Sequence, residues 1–220
     1  MVRKILLVPM GVMFGAAAIA LTYPLIVGLP GSEQNVVPRF ASQWYVGKGV
    51  ETTPSLQYLV RYQEMEFLAE LKFLGSSGDE QNVQVTIDDK KTNRHIEQIM
   101  QLGRAYVFVD PPEEIKPYIK ALDKTVLSIR DAVIEPKYLV VGADWGTIYI
   151  GKFTPKLTIT DYADNRFEFG MLKTYTLSYK INNIESSFLI ADNIPLPLKG
   201  EVYTLDGNLE YFFEAVQLEE

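Results

Sequence analysis

The sequence predicts a mainly β (α+β) fold in which an N-terminal transmembrane helix precedes a curved antiparallel sheet or incomplete barrel with one covering helix. Three observations lead to this prediction. The first is an uncharged, apolar segment at residues 5–29. The second is a series of short segments in which apolar and polar residues alternate, as they do in half-buried strands. The third is a single segment, about 112–134, whose apolar residues are spaced three and four apart, as on one face of a helix.

The first element is the predicted membrane anchor, residues 1–30. Its apolar core at 5–29 has 25 residues without a charge, enough to cross about 30 Å of hydrocarbon at about 1.5 Å per residue. Gly11 and Gly15 form a small-residue pair on which a second membrane helix can pack. The residues that represent this anchor are Ile5, Leu6, Gly11, Gly15, Ile19 and Leu25.

The charges at the N-terminus predict the orientation of the anchor. Arg3 and Lys4 precede the apolar segment, and the next basic residue is Arg39. The positive-inside rule therefore predicts a cytoplasmic N-terminus and a single-pass protein whose large domain lies outside the cell membrane. The alternative is a signal peptide cleaved after Ala20, which exports the domain without an anchor. The length of the apolar run favours the anchor.

The next elements are a tether and the first group of strands. Residues 31–54 are rich in Pro, Gly, Ser, Gln and Val, which predicts a tether. Residues 55–220 then form the extracytoplasmic β-rich domain. Its first strands are predicted at 55–62, 65–74, 82–88, 95–102 and 104–109, with a turn at 75–79.

The one predicted helix follows Asp110-Pro111-Pro112. Asp110 can cap the first N–H groups, and Glu135-Pro136 ends the helix. The apolar stripe predicts a face that packs on the core. Its residues are Ile115, Tyr118, Ile119, Leu122, Val126, Ile129 and Val133.

The second group of strands runs to the C-terminus. Turns are predicted at Asp164-Asn165, Asn182-Asn183 and Asp206-Gly207-Asn208. The strands are predicted at 138–141, 147–150, 155–162, 167–169, 173–181, 185–191, 199–205 and 209–218.

Composition excludes several classes of function. Cysteine is absent, which excludes disulfides and cysteine nucleophiles, and the only histidine, His95, is predicted on the polar face of a strand. The net charge of the whole sequence is −7. Without Arg3 and Lys4, which precede the apolar segment, the chain has 19 basic and 28 acidic residues, a net charge of −9. Such a surface repels phosphate backbones, so nucleic acid is not an expected partner.

No residue pattern specifies a reaction, a cofactor or a metal. Asp161, Asp164 and Asn165 have the short spacing of a calcium-binding turn but lack its glycine and distal glutamate, so a hairpin turn is preferred. The three glutamates between positions 64 and 70 share the polar face of one strand and do not form the facing pair of a glycosidase. The sequence therefore predicts no catalytic residue, no cofactor and no metal site, and we expect that the protein is not an enzyme.

Two short motifs carry a resemblance to known proteins. One lies just after the anchor, at 42–49, and the other precedes the last hairpin, at 195–199. Their residues are Trp44, Tyr45, Gly47, Lys48, Gly49, Pro195, Pro197 and Lys199. With them the chain resembles uncharacterised membrane-anchored extracytoplasmic proteins of ammonia-oxidising archaea. Its C-terminal half is more distantly similar to LolA and lipocalin-like envelope proteins, a likeness that implies a half-barrel with a helical lid around an apolar ligand.

The preferred function is that of a non-enzymatic, membrane-anchored extracytoplasmic domain, acting as an accessory, scaffold or interaction subunit in the cell envelope. Its expected partners are the membrane and other membrane-protein subunits. The alternative is a carrier or sensor of a lipid or other apolar ligand, because aromatic residues occur on nearly every strand and either fill a core or line a cavity. A third hypothesis, an envelope hydrolase, requires acids that converge in one cleft.

Overall fold

The structure, a computed structural model, describes residues 41–77 and 80–219. The predicted anchor at 5–29, residues 31–40 of the predicted tether and the tip of the predicted turn at 75–79 lie outside the described residues. Within the described ranges, no helix is long and apolar enough to cross a membrane.

The described chain forms twelve strands and one α-helix, and is therefore mainly β as predicted. Ten strands form one antiparallel sheet in the order β5-β4-β3-β2-β12-β11-β10-β9-β8-β7, and β1 and β6 form a separate pair. The strands are β1 (Gln43–Trp44), β2 (Ser55–Tyr62), β3 (Met65–Ser77), β4 (Glu80–Asp89), β5 (Arg94–Leu102), β6 (Lys137–Tyr138), β7 (Asp144–Thr147), β8 (Lys156–Phe167), β9 (Gly170–Ile181), β10 (Ile184–Ile190), β11 (Lys199–Tyr203) and β12 (Leu209–Glu219). Because β5 and β7 form the two edges, the sheet is not closed into a barrel.

The order of the strands explains where the helix lies. Two meanders, β2 to β5 and β7 to β12, join where β12 pairs with β2. The chain leaves one sheet edge after Leu102 and reaches the other edge at Asp144, so residues 103–143 must cross the sheet. This crossover contains the helix α1 (Lys116–Lys124).

The crossover covers the inner face of the sheet through its apolar stripe. Every stripe residue from Ile115 to Val133 is buried, with at most 4% of its surface exposed. Tyr118 lies 5.0 Å from Phe67 of β3 in an edge-to-face arrangement and donates a 2.8 Å hydrogen bond to Asp89 of β4. Burial of each such side chain contributes about 1.5–3 kcal/mol. The predicted covering role of the stripe is confirmed.

The helix itself is shorter than the predicted 112–134. It ends at Lys124, because Thr125 leaves the helical region (φ −117°, ψ −91°) and its hydroxyl donates to the Ala121 carbonyl. Turns continue the buried stripe to Val133. The predicted cap was also wrong: Asp110 has a φ of +41°, and Ile115 occupies the position before the first helical residue without a side-chain cap.

Three strand predictions in this region differ from the structure. Residues 104–109 do not form a strand, because Ala105 and Tyr106 have positive φ angles (65° and 59°) and the Gly103 N–H bonds to the Val107 carbonyl at 2.8 Å. The predicted strands 138–141 and 147–150 share only Tyr138 and Thr147 with the observed strands β6 and β7, which lie toward the N-terminal side of each prediction.

The turn predicted at Asp164-Asn165 was wrong, because both residues lie in a strand. The structure has one continuous strand, β8, where two strands and a turn were predicted, and the turn lies at 168–169. Asp164 pairs with Lys173 across the hairpin, and the Asn165 side chain donates a 2.8 Å hydrogen bond to Thr174. These cross-strand contacts keep poor strand formers in the extended state. The turn predicted at Asn182-Asn183 is confirmed, and both residues have positive φ.

Aromatic residues from several strands fill the interior. Tyr58, Phe67, Phe188 and Phe213 are each at most 2% exposed. Tyr58 and Phe213 pack edge to face at 6.0 Å, and Phe188 lies 6.4 Å from Phe213. These rings form part of the core between the sheet and the crossover.

Candidate functional site

The two motifs that carry the family resemblance meet in the structure. Trp44 is fully buried, and its indole N–H donates a 2.8 Å hydrogen bond to the Ile194 carbonyl. Its ring stacks on Trp145 with 6.0 Å between ring centroids. The Gly47 N–H donates to the Pro195 carbonyl at 2.8 Å. Residues 43–49 therefore pack on residues 192–195 and are hydrogen-bonded to them.

Glycines allow this close approach. Gly49 has a φ of +89°, and a Cβ at this position would lie 1.9 Å from the Asn193 carbonyl oxygen. Gly47 has a φ of +94°, and a Cβ there would lie 1.7 Å from the Tyr106 hydroxyl. Only glycine fits both the backbone angle and the space at each position.

An ion pair closes the same junction. Lys48 pairs with Asp192 and also donates a 2.6 Å hydrogen bond to the Gln43 carbonyl. Burial alone raises the pKa of Asp192, but its hydrogen bonds from Lys48 and Ser42 outweigh that effect and lower the pKa. Asp192 therefore stays ionised and holds Lys48.

The remaining motif residues have separate positions. Pro195 and Pro197 are buried, whereas Tyr45 is 41% exposed. Lys199 lies on β11, where it pairs with Glu201 at 3.1 Å and Glu214 at 3.7 Å. The motif residues near the junction therefore join residues 43–49 to 192–195 through packing, hydrogen bonds and one ion pair.

The acids considered in the sequence are dispersed. Asp161 and Asp164 are exposed on β8, and within residues 41–77 and 80–219 no three acidic or histidine side chains converge to hold a metal. Glu66 pairs with Arg61 at 2.6 Å, and Glu70 accepts a 2.8 Å hydrogen bond from Ser55. The Arg61–Glu66 pair is exposed, whereas Ser55 is buried and Glu70 is half-buried.

His95 lies on the exposed face of β5, as predicted. Its Nδ1 is 2.6 Å from a carboxylate oxygen of Asp88 on β4. The hydrogen bond to Asp88 and the negative charges of Asp88 and Glu97 raise the pKa of His95. The pair is solvent-exposed, with 64% of the His95 side chain and 43% of the Asp88 side chain accessible.

A cleft of about 290 Å³ lies between residues 123–131 of the crossover and the inner face of the sheet. Arg130 pairs with Asp123 at 2.5 Å, and Tyr211 donates a 2.9 Å hydrogen bond to Ser128. The polar residues of the lining are Tyr62, Asp123, Lys124, Ser128, Arg130, Asp131, Tyr149, Tyr179, Glu210 and Tyr211. The volume is at the lower limit of about 300–1,000 Å³ for small-molecule sites, and these ten polar residues share the lining with six apolar ones.

The hairpin of β8 and β9 extends beyond the rest of the sheet. β10 pairs with β9 only as far as Tyr175, and β7 with its flanking residues reaches β8 only as far as Ile159. Residues 161–174 therefore form a two-stranded ribbon, here called the arm. Tyr162 stacks on Tyr175 at 4.3 Å on one face of the arm, which also exposes Met171.

The outer edge of β8 in the arm has backbone groups that no described strand pairs with. The hairpin closes with the pair Phe167–Gly170, and alternate residues of an antiparallel strand point their N–H and C=O groups away from the partner. By this alternation the backbone groups of Tyr162, Asp164 and Arg166 point outward. The N–H of Tyr162 bonds to the Asp161 carboxylate at 2.8 Å. Asp164 and Arg166 keep outward groups that can pair with another strand.

Sequence reasoning missed both the arm edge and the cleft. The arm edge was hidden because Asp164-Asn165 has the composition of a turn, although charged residues are also typical of edge strands. The cleft joins residues from the crossover, β2 and β9 to β12, and no local pattern brings these segments together.

No family model and no curated protein matches the sequence. Two distantly similar solved structures are a protein with a YmcC-like fold from Bacteroides fragilis and the Pseudomonas aeruginosa MucA/MucB complex. The first has a TM-score of 0.36 and 7% identity, covering 82% of this chain and 100% of that one. The second has a TM-score of 0.41 and 11% identity, covering 76% of this chain and 51% of that one.

Proposed function

We propose that this chain is a membrane-anchored, extracytoplasmic, non-enzymatic domain that binds another protein subunit of the cell envelope through an extended strand. The observation that carries the proposal is the arm, whose outer β8 edge presents the backbone groups of Asp164 and Arg166. Such an edge recognises an added strand through main-chain hydrogen bonds, and the neighbouring side chains select the partner.

The opposite edge of the sheet supports the choice of β8, because it is partly covered by the chain itself. On β5, the Gln101 carbonyl accepts a 2.9 Å hydrogen bond from the Val109 N–H. The Gln98 side chain donates a 2.9 Å hydrogen bond to Glu114 of the crossover. Among the described residues, the edge of β8 in the arm receives no comparable cover.

The same geometry gives less support to the two alternative functions, an apolar carrier and a hydrolase. An apolar carrier needs an internal chamber with hydrophobic walls. Aromatic side chains occupy the core, and ten of the sixteen residues that line the cleft are polar. The wider hollow of about 820 Å³ beside Gly47 and Gly49 is open to solvent and is lined in part by polar residues. A hydrolase needs acids that converge in a cleft, whereas Glu66 pairs with the exposed Arg61 and Glu70 accepts a hydrogen bond from the buried Ser55. The anchor and its orientation enter the proposal from the apolar run at 5–29 and the basic residues Arg3 and Lys4.

Two proline variants test the proposed edge. Asp164→Pro removes an outward N–H and leaves the pairing of β8 with β9 intact, because that N–H is not used inside the arm. Asn165→Pro removes an inward N–H and breaks the arm itself. Tyr149→Ala, at an 82% exposed residue outside the arm, is the control for a neutral surface change.

The measurement is the size of the assembly that contains the full chain, cross-linked through its amines in the native membranes before extraction in mild detergent. We expect the unchanged chain and Tyr149→Ala to migrate in a larger assembly, and both proline variants to migrate as the free chain. Far-UV circular dichroism should show an unchanged fold for Asp164→Pro. A solitary, unassembled wild-type chain, or an Asp164→Pro chain that stays assembled, contradicts the proposal.

A further inference from the structure

We infer that the strand that adds to the arm is the arm of a second copy of this chain, paired antiparallel about Asn165. This inference rests on the proposed function and names the partner for the same edge. In this register Asp164 of one copy lies directly opposite Arg166 of the other, and the two-fold symmetry makes the same contact twice. Each of these pairs brings together outward-pointing backbone groups, so each exchanges both of its hydrogen bonds.

The register follows from the geometry of β8. Two residues that lie opposite each other across an antiparallel pair have their side chains on the same face of the sheet. In a two-fold symmetric pair, their sequence numbers therefore differ by an even number, so the symmetry axis is centred on a residue and not between two residues. An axis at Asp164 places two aspartates opposite each other, which is unfavourable. An axis at Ala163 requires the Tyr162 N–H, which already bonds to the Asp161 carboxylate. An axis at Asn165 uses the free backbone groups of Asp164 and Arg166.

The side chains of the arm agree with this register. Inside the arm Asp164 lies opposite Lys173, but Arg166 lies opposite Met171 and has no acidic cross-strand partner of its own. The second copy supplies that partner. Lys173, Asp164 and the second copy's Arg166 then alternate in charge across one face of the joined sheet.

The interface is short, so the membrane contributes to its formation. A few edge hydrogen bonds and exposed ion pairs give a weak complex between chains that diffuse freely. Two chains anchored through residues 5–29 in one membrane have a much higher effective concentration. We therefore expect pairing in the membrane and much less pairing in dilute detergent.

The absence of cysteine makes a disulfide test specific. In the proposed register the two Asn165 residues form a non-hydrogen-bonded pair with Cα atoms about 4.5 Å apart, within the range that a disulfide spans. Ala163 is the matched control on the same face. The two Ala163 residues are offset by four residues along the strands, about 14 Å at about 3.4 Å per residue, too far for a disulfide.

The experiment uses the full chain with Asn165→Cys in its membrane, oxidised with copper phenanthroline and analysed by non-reducing electrophoresis. We expect a dimer that is at least tenfold more abundant than for Ala163→Cys. Adding Arg166→Asp should reduce the Asn165→Cys dimer about tenfold, because acids then face acids, and adding Asp164→Arg to that variant should restore it.

The outcomes separate this inference from the proposed function. No Asn165→Cys dimer, or equal dimers for Asn165→Cys and Ala163→Cys, overturns the second-copy inference. If the native assembly is nevertheless lost in Asp164→Pro, the proposed function stands with a different partner. A solitary wild-type chain in native membranes, together with no dimer, overturns both.

Discussion

The indole of Trp44 joins residues 43–49 to the rest of the domain through a buried hydrogen bond and ring stacking, and its removal tests this part of the fold. Trp44→Ala deletes a side chain that is fully buried, stacked on Trp145 and hydrogen-bonded to the Ile194 carbonyl. Tyr45→Ala changes the next residue, which is 41% exposed. Comparing the two variants shows whether a loss of stability comes from removing a buried side chain or from any change in this part of the sequence.

The magnitude follows from what each variant removes. Replacing a buried tryptophan by alanine costs about 3–5 kcal/mol, including the cavity. The Ile194 carbonyl loses its donor, which adds about 1–3 kcal/mol. We therefore expect Trp44→Ala to lower the free energy of unfolding by about 4–8 kcal/mol, a large fraction of the roughly 5–15 kcal/mol typical of a domain. Trp44→Phe, which keeps most of the ring, should cost less than Trp44→Ala, and Tyr45→Ala less than about 1 kcal/mol.

The assay is urea unfolding of the full chain in detergent micelles, followed by far-UV circular dichroism. Trp145 is the only tryptophan left in Trp44→Ala, so its fluorescence reports on the same contact. We expect its emission to shift to the red, because the stacking partner that shields it is gone. A cost of Trp44→Ala below about 1 kcal/mol, or equal to that of Tyr45→Ala, would refute the reasoning that residues 43–49 are part of the folded domain.

Three further variants have expected outcomes in the same unfolding assay. The hydroxyl of Tyr58 is buried without a described partner, so Tyr58→Phe should be neutral or stabilising by up to about 1 kcal/mol, and a loss above 1 kcal/mol would contradict this. Burial alone raises the pKa of Asp89, but its hydrogen bonds, above all the one from Tyr118, outweigh burial and lower the pKa. Asp89 therefore stabilises the fold above about pH 4. This contribution is lost as the pH falls through the lowered pKa of Asp89. Tyr118→Phe should therefore lower the free energy of unfolding by about 1.5–3 kcal/mol at pH 7. The variant should also lose less of its stability than the unchanged chain between about pH 5 and pH 3. An unchanged dependence of stability on pH would contradict this expectation. A Cβ on Gly200 would lie 2.2 Å from the Phe213 ring, so Gly200→Ala should cost about 1–3 kcal/mol, and an unchanged unfolding midpoint would argue against the tight contact.

The sequence predicted the strands well where alternation was strong and turns were unambiguous. The predicted strand 55–62 has the observed bounds, and the Asn182-Asn183 turn is where it was expected. The stripe from Ile115 to Val133 was assigned to the core, although its helix ends at Lys124. Burial depends on where apolar side chains point, and turns after Lys124 keep these side chains on the covered face.

The candidate interaction site was predictable only in part. The sequence contains the exposed, charged composition of residues 161–166, but Asp164-Asn165 is equally typical of a turn. Pairing with Lys173 and Leu172 on the neighbouring strand decided between strand and turn. That contact forms between residues separated in the chain, so the local pattern of β8 alone does not reveal it.

By itself the sequence determined the class of the fold, the apolar run at 5–29 and the residues of the core stripe, because these depend on the local periodicity of apolar side chains. Tertiary structure decided that residues 43–49 dock on 192–195, that the crossover joins the two sheet edges and that the β8 edge of the arm is left uncovered by the described strands. These features depend on which distant strands become neighbours, and strand order is set by the packing of the whole sheet and its cover.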